Sequence, residues 1–518
     1  MNTPSRNGLV LAAVCLSALM FGLEISSVPV ILPTLERVLQ ADFKAMQWIM
    51  NAYTIACTTV LMATGTFADR FGRKLVFAIT VAAFGLTSLM CGLAPNTSLL
   101  IAARFLQGMA GGAMFICSIA ILSHQFQDGR ERGRAFAIWG VIAGIGLGFG
   151  PIIGGGIVAL STWQWVFLVH APLAVLCMVL TYVGVSESRD PQAKKLDILG
   201  IVLLSAAVFG LAYYITQAPD FGGFLSPAAL AIAAATIVGF IAFVLVERYH
   251  AHPMFDFSVF RIRDFSGAII GCIGMNFSYW PFMIYLPIYF AVGLGYESTT
   301  TGLALLAYTV PFLVMPPIAQ YLLVRFNARI VIPLGLFTIG LGFVLMWLGS
   351  AAEAASGLTV LPGALVSGIG LGLTTTPATN MTTGSVPASR AGMASGIDTS
   401  ARLIALAINI AVMGFVLVEG ILHGLKKGLP DAFDGVDLRA VAEKIAAGNT
   451  AALQDTTRQG LTVPTDVVHS ALVEGFGWVM LYGGLGVWVL AALSFAIFGS
   501  SKAGAIPVSE ARAGTHGL

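Results

Sequence analysis

Apolar residues dominate the chain in long runs that are separated by short polar or charged breaks. Most runs approach or exceed about twenty residues, the length that an α-helix needs to cross the hydrocarbon core of a bilayer. The first run is longer than the apolar core of a signal peptide, roughly 7–15 residues, and lacks its strongly basic start, so we assign it as a span. The pattern predicts 14 spans, near residues 8–32, 47–67, 75–94, 99–122, 135–160, 164–185, 197–216, 227–246, 266–291, 301–323, 330–349, 357–379, 401–421 and 471–498.

Composition agrees with this pattern and excludes several classes of protein. Of the 518 residues, 57% are hydrophobic and 10% are charged, whereas a soluble domain has roughly a quarter charged residues. A net charge of +2 indicates no polyanionic partner such as nucleic acid. The six cysteines lie within apolar runs without CxxC spacing, which favours neither disulfides nor zinc. The sequence has no GxxxxGK[ST] motif and no catalytic or metal-ligand cluster, so we expect no ATP-driven step, no enzymatic activity and no cofactor.

The basic residues predict the orientation of the chain. With the N-terminus in the cytoplasm, 18 of the 27 Lys and Arg residues fall in cytoplasmic segments, 7 fall outside, and Arg104 and Arg402 fall within spans. Because cytoplasmic loops of membrane proteins carry an excess of positive charge, both termini are expected in the cytoplasm. The expected location is the plasma membrane of a bacterium, its inner membrane.

A weak internal repeat predicts the domain organisation. A short basic turn, Arg70–Arg73, follows the second run, and a similar turn, Arg325–Arg329, follows the tenth. Each would link the second and third spans of a six-helix half, and two related halves around one site are common in secondary transporters. The predicted units are a six-helix half in residues 1–190, a two-helix insert in 191–257, and a second six-helix half in 258–518 that includes an outer loop, 423–470, with a helix within 437–456.

Four motifs resemble those of one transporter family. Residues 65–74 read GTFADRFGRK, residues 104–108 read RFLQG, residues 146–155 read GLGFGPIIGG, and residues 23–33 read LEISSVPVILP. Together they resemble the major facilitator superfamily, specifically its 14-span drug:proton antiporter branch, over nearly the whole chain. The resemblance implies an all-α polytopic membrane protein with a major facilitator fold, built from 14 helices as two six-helix halves and two inserted helices.

The chain also departs from the family's pattern. Glu24 and Pro29 stand where the branch carries Asp and Asn in the first span. At the entry to the sixth span the sequence WQWVFLVHAP, residues 163–172, has Gln164 and His170 where the family has Arg and Asn. These departures leave the expected fold unchanged but weaken any inference of substrate from relatives.

The basic turn after the second span is a candidate conformational switch. A helix N-terminus, which carries a partial positive charge, would attract Asp69 across the seam between the halves. Arg73 could pair with Asp128 or Glu131, and Asp398 and Arg402 could meet the Asp69 loop. The alternative is a plain cytoplasmic stop signal. The candidate switch residues are Gly65, Asp69, Arg70, Gly72, Arg73, Asp128, Asp398 and Arg402.

The fifth span is crowded with glycine, which permits close helix approach, and contains a proline, which removes a backbone hydrogen bond. The resemblance implies a kinked, tightly packed helix that seals the cavity against proton leak. Ordinary helix packing is the alternative. The signature residues are Gly146, Gly150, Pro151, Gly154 and Gly155.

Ionisable residues within spans are the candidates for proton coupling, because such residues are expensive in a membrane and usually face a cavity or a partner. Glu24, Arg104 and His170 are predicted at similar depths in the outer leaflet. The alternatives are a structural Glu–Arg pair for Glu24 and a packed, hydrogen-bonded histidine for His170, which we favour for His170.

Aromatic and polar residues within spans are the candidates for substrate binding. Aromatic faces suit flat or cationic organic molecules, and core or lipid-facing packing is the alternative for any one residue. The candidates are Tyr53, Gln107, Asn276, Tyr279, Trp280 and Tyr285.

The sequence and its resemblance therefore predict a proton-coupled exporter of amphipathic organic compounds, cationic or neutral, that works by alternating access. The candidate partners are the proton, a small amphipathic organic substrate, the lipid bilayer and accessory envelope proteins. Two alternatives stay open: a narrow exporter of one metabolite, peptide or siderophore, and a channel or sensor without coupling. Glu24 and the complete turn at 65–74 disfavour the channel, which needs no switch between two states.

Overall fold

The computed structural model describes residues 4–126, 129–189, 197–249, 257–351, 356–386, 391–429, 437–448 and 464–499. Within these residues all regular structure is helical, and a π-helical turn, Tyr289–Gly293, follows α11. The α-helices are α1 (Pro4–Leu39), α2 (Phe43–Phe71), α3 (Arg73–Gly92), α4 (Thr97–Gln125), α5 (Gly129–Leu160), α6 (Trp165–Leu168), α7 (His170–Gly184), α8 (Ile198–Gln217), α9 (Pro227–Tyr249), α10 (Arg263–Phe277), α11 (Tyr279–Ile288), α12 (Ser298–Phe326), α13 (Ala328–Ser350), α14 (Gly357–Gly384), α15 (Ala391–Gly428), α16 (Leu438–Ala446) and α17 (Thr465–Phe498).

These helices make the chain an integral membrane protein. Twelve stretches of the described residues are long and apolar enough to cross a bilayer. Helices α2 and α12, 29 residues each, pack among them. Large apolar side chains stand exposed on the outer helices, as Val179 does on α7 and Ile237 does on α9, and a lipid environment accommodates them. The count of 14 spans stays a prediction.

Helix ends are set by local capping. Asp42 Oδ1 accepts a hydrogen bond from Ala45 N at 2.7 Å at the start of α2, and Asn96 Oδ1 accepts one from Leu99 N at 2.9 Å at the start of α4. Such side chains satisfy amide groups that have no partner within the helix. Helix α2 ends at Phe71, and the next residue, Gly72, has a φ of +119° that turns the chain directly into α3. Only glycine adopts this conformation without steric cost.

Two of the predicted spans are interrupted, which hydrophobicity alone did not indicate. The run at 266–291 is divided at Ser278 into α10 and α11, and the run at 164–185 is divided at Val169 into α6 and α7. Pro281 and Pro172 lie three residues after these breaks. Since proline has no backbone N–H, it cannot donate to the carbonyl four residues earlier and weakens the helix there.

Helices from the first part of the chain pack mainly against each other, as do those from the last part. Helix α1 packs against α5 and α7, α2 packs against α4, and α3 packs against α4 and α7. Later in the chain, α14 packs against α12 and α13, and α17 packs against α13, α15 and α10. Contacts of α5 with α12 and of α2 with α15 join the early helices to the late ones. Helices α8 and α9 pack against each other, and α8 also contacts α2 and α15.

The predicted outer loop at 423–470 contains regular structure at both ends and in its middle. Helix α15 continues to Gly428 and α17 begins at Thr465, while α16 lies between them. Val441 and Ile445 of α16 are buried in the largest apolar core, which also includes residues of α1 and α11. This short helix therefore packs onto the bundle.

Candidate functional site

The centre of the candidate site is an ion pair between α1 and α4. Arg104 Nη1 donates to Glu24 Oε1, and both side chains are fully buried, with 0% exposure. The structure therefore brings together two of the three residues that the sequence suggested for proton coupling. Removal of either partner would leave an uncompensated charge in the interior, so each of the two side chains needs the other in place.

Further contacts orient the guanidinium. Arg104 Nε donates to the Ile49 carbonyl at 3.1 Å, and Nη1 also donates to Gln107 Oε1 at 2.7 Å. The Arg104 Cζ atom lies 4.3 Å from the centre of the Tyr53 ring, in cation–π geometry. Within the described part of the chain, Nη2 is buried and has no hydrogen-bond partner.

His170 lies on the other side of the carboxylate. Its Nδ1 atom is 3.3 Å from Glu24 Oε2 and 3.3 Å from the Phe167 carbonyl. Both neighbours are oxygen atoms that can accept a hydrogen bond. The helix break at Val169 places the ring there, with its plane edge-on to Phe84. All three residues suggested for proton coupling thus meet in one cluster.

A small cavity lies beside this cluster. Arg104 and Tyr53 line one side, and the opposite side is formed by α11 and α15. The apolar lining is contributed by Met50, Trp280, Met283, Ile284, Leu406 and Ile410. Its volume, about 20 Å³, has room for one or two water molecules.

The other suggested substrate-binding residues lie outside this lining. The Tyr279 ring stacks on that of Tyr308, with the centroids 4.0 Å apart, and the Tyr308 hydroxyl donates to the Tyr279 carbonyl at 2.9 Å. Asn276 Nδ2 donates to the Cys272 carbonyl one helical turn away. Gln107 is bound to Arg104 and to Ser88. Of the six candidates, Tyr53 and Trp280 face the cavity.

Tyr285 takes part in a polar contact between distant helices. Gln47 Nε2 on α2 donates to the Tyr285 hydroxyl at 3.2 Å, and this hydroxyl donates to the Ile410 carbonyl on α15 at 2.6 Å. Close by, Arg439 of α16 pairs with Glu419 of α15 at 2.8 Å. Neither contact was predicted from the sequence, because the partners lie on different helices that only the fold brings together.

The turn between α2 and α3 is bound to the end of α7. Glu187 accepts hydrogen bonds from the backbone N–H groups of Lys74 and Leu75, each at 3.1 Å, and Arg73 N donates to the Ser188 carbonyl. Glu187 therefore caps α3, a role that sequence reasoning missed; the signal was its place in the charged break after the sixth run. Asp128 lies outside the described residues, as does the side chain of Asp69.

Asp398 and Arg402 pair with each other, one turn apart on α15, at 3.1 Å. Arg402 Nη2 also donates to Cys272 Sγ at 3.1 Å and to Thr379 Oγ1 at 2.9 Å. These contacts tie α15 to α10 and α14. The suggested meeting of this pair with the Asp69 loop stays a prediction.

The glycines of the fifth span lie in two close contacts. A Cβ atom at Gly146 would lie 2.7 Å from the Leu19 carbonyl, and one at Gly150 would overlap Ser26 Oγ, both on α1. A Cβ atom at Gly144 or at Gly148 would instead lie 3.1 or 3.2 Å from the side chain of Leu313 on α12. Glycine here allows α5 to pack tightly between α1 and α12.

Comparison with known proteins agrees with this architecture. The sequence profile of the Major Facilitator Superfamily matches residues 14–408. Since this match covers most of the chain, the protein belongs to the major facilitator superfamily, a family of transporters and not of enzymes.

Several relatives are drug-resistance, export or efflux proteins by name. The chain is 33% identical to the multidrug resistance protein Stp of Mycobacterium tuberculosis, over 84% of this chain and 81% of that one. It is 28% identical to the tetracenomycin C resistance and export protein of Streptomyces glaucescens, over 93% and 90%. It is 27% identical to the multidrug efflux pump LfrA of Mycolicibacterium smegmatis, over 91% and 95%.

Solved structures share the fold. A bacterial homologue of the human lysosomal transporter Spinster, in an inward-facing conformation, superposes with a TM-score of 0.62 at 13% identity, over 96% of this chain and 98% of that one. A D-xylose–proton symporter superposes with a TM-score of 0.57 at 14% identity, over 93% and 97%. At these identities the likeness concerns the fold alone.

Proposed function

We propose that this protein exports amphipathic, drug-like organic compounds by exchange for protons. The observation that carries the proposal is the fully buried Glu24–Arg104 pair beside an apolar cavity. The names of the relatives support export of drugs and antibiotics as the task. Inward movement of one proton releases about 2.3 kcal/mol per 100 mV of membrane potential, which is enough to drive uphill export of a solute.

Glu24 is the proton carrier in this proposal. A proton on its carboxylate cancels the charge that holds Arg104, so protonation loosens the contact between α1 and α4. His170, 3.3 Å from the same carboxylate, is the group through which the proton passes or with which it is shared. A substrate that enters the cavity meets Arg104, so its binding depends on whether Glu24 is protonated. Proton binding and substrate binding thereby become coupled.

Alternating access is assigned to rocking of two halves, residues 1–190 and 258–518. Packing supports this division, since the early and late helices pack mainly among themselves and meet through α5–α12 and α2–α15. The insert, residues 191–257, lies against both halves through α8. The turn at 65–74 is the cytoplasmic switch, and Glu187, which follows α7, holds it in place. Both termini lie on the cytoplasmic side of the inner membrane.

The decisive experiment measures export in inside-out membrane vesicles. Vesicles with the protein are energised, and uptake of a panel of neutral and cationic dyes is followed with and without an uncoupler of the proton gradient. Uptake that requires the gradient, absent from vesicles without the protein, is expected. Flux that ignores the uncoupler would indicate a channel, and no flux of any dye would indicate a narrow exporter.

A further inference from the structure

The short helix α16 is amphipathic and lies on the bundle through one face. Ala440 and Lys444 are exposed on its outer face. The residues of the inner face recur at three- and four-residue spacing, and they are Val441, Ala442, Ile445 and Ala446, all buried. A helix of nine residues is too short to be stable in water by itself, so contact with the bundle holds α16 in its helical form.

The chain ties α16 to the second half, residues 258–518. Helix α15 precedes it and α17 follows it, so both of its ends lead into that half. Arg439 pairs with Glu419 of α15, with Nη1 and Oε1 2.8 Å apart. At the other end, a Cβ atom at Gly448 would lie 3.7 Å from Ile288 Cγ2 of α11. We therefore expect α16 to move together with the second half.

Helix α16 also reaches the first half. The same Cβ atom at Gly448 would lie 3.6 Å from Pro33 Cβ of α1. Arg439 and Glu443 line a crevice together with residues of α2, and α16 contacts that helix. The apolar core that buries α16 contains Leu32 of α1 as well. This helix therefore bridges the two halves.

Close to α16 the two halves are in direct contact. Gln47 of α2 donates to the Tyr285 hydroxyl of α11, and that hydroxyl donates to the Ile410 carbonyl of α15. A Cβ atom at Gly414 of α15 would overlap Gln47 Nε2. Gln47 lies near the start of α2, whereas the turn at 65–74 lies at its end. The contact thus closes the end of the bundle opposite the switch, which is the outer end in the proposed orientation.

We propose that α16 is a gate at the outer end of the bundle, fixed to the second half and released from α1 and α2 each time that end opens. The inference rests on the proposed function, because such a gate serves alternating access. Outward release of a substrate requires Gln47 to separate from Tyr285 and Gly414. A helix in contact with both halves cannot follow both of them, and the chain itself keeps α16 with the second half.

The test compares two pairs of introduced cysteines in the full-length protein. Pro33→Cys with Gly448→Cys can be linked between α16 and the first half, and Ile288→Cys with Gly448→Cys can be linked between α16 and the second half. Both pairs carry the same cost of a side chain at Gly448, whose φ is +85°. Each is cross-linked with methanediyl bismethanethiosulfonate, and dye uptake by energised inside-out vesicles is measured before treatment, after it, and after reduction with dithiothreitol.

The link to α1 should abolish dye uptake, because the outer end can no longer open, and dithiothreitol should restore it. The link to α11 should leave uptake unchanged. Treated protein without introduced cysteines is the control, since its six cysteines are buried. Full uptake with the link to α1 would overturn the proposal, as would loss of uptake with the link to α11. If Gly448→Cys fails to fold, Ala447→Cys replaces it in both pairs and is judged in the same way.

A second measurement does not depend on transport. Nitroxide labels on the same two pairs, in protein reconstituted into lipid nanodiscs, report the distances by electron paramagnetic resonance at acidic and at neutral pH. The pair that includes α1 should show a short and a long distance, and the pair that includes α11 a single short one. One short distance for both pairs would overturn the gate whatever the vesicles show. Two distances for the α1 pair, with dye uptake absent or independent of the proton gradient, would refute the proposed function alone.

Discussion

Replacement of Glu24 by Gln tests the role of the buried carboxylate most directly. Gln has nearly the same size and can still accept a hydrogen bond from Arg104 Nη1, but it cannot take up or release a proton. If Glu24 carries the proton, Glu24→Gln should abolish gradient-driven export while leaving the protein in the membrane. Glu24→Asp should retain part of the activity, because Asp ionises but reaches less far toward Arg104.

The structure sets the size of the accompanying loss of stability. Both partners are fully buried, and loss of one partner from a buried ion pair typically costs 3–5 kcal/mol. Gln retains one hydrogen bond, and the Ile49 carbonyl and Gln107 still bind the guanidinium, so the lower end, about 3 kcal/mol, is expected.

The assay uses liposomes that contain the purified protein, with an imposed pH gradient. Wild type should accumulate substrate against its gradient, and Glu24→Gln should catalyse only exchange or downhill movement. The matched control is Glu474→Gln, at a carboxylate on α17 whose side chain is 30% exposed, which should export normally. Release of protons upon substrate binding, at wild-type amplitude, by purified Glu24→Gln would refute the reasoning and turn attention to His170 or Asp398.

Three further predictions concern packing, the interhelical contact and topology. Gly150→Ala should reduce folded protein and export, because its methyl group overlaps α1, whereas Gly156→Ala, with open space at that position, should behave as wild type in thermal unfolding and transport. Tyr285→Phe removes a hydroxyl that joins α2 to α15. The free energy of unfolding should fall by about 1 kcal/mol, and a cysteine introduced into α16 should be labelled faster than in the protein with Tyr285. Unchanged labelling would contradict this role. In intact cells, a cysteine introduced by Ala440→Cys should react with an impermeant reagent and one introduced by Arg134→Cys should not; the reverse result would overturn the orientation.

The class of protein follows from the sequence because hydrophobicity is a local property. Runs of apolar residues long enough to cross a bilayer need no knowledge of their neighbours. Each predicted run overlaps described helices, and two of the runs are divided in the structure, at Val169 and Ser278. The same holds for Glu24 and Arg104, whose similar depth follows from counting residues along two helices at about 1.5 Å each. The family followed from motifs that are contiguous in the chain, such as residues 65–74.

The composition of the site depended on tertiary structure. Tyr279 and Trp280 are neighbours in sequence, yet Tyr279 is buried against Tyr308 and Trp280 faces the cavity. A helix that is apolar on all sides carries no periodic signal for its inward face, and both residues lie in the same helix, α11. Packing therefore decided which aromatic residues could meet a ligand.

The partners of the buried carboxylate also required the folded chain. His170 reaches Glu24 only because α7 packs against α1, and Glu187 reaches the turn at 65–74 only because α7 packs against α3. The sequence determined that a charge lies within the membrane. Which donors surround it, and that its guanidinium partner rather than the carboxylate faces the cavity, was decided by helix rotation and interhelical contact, which no single segment encodes.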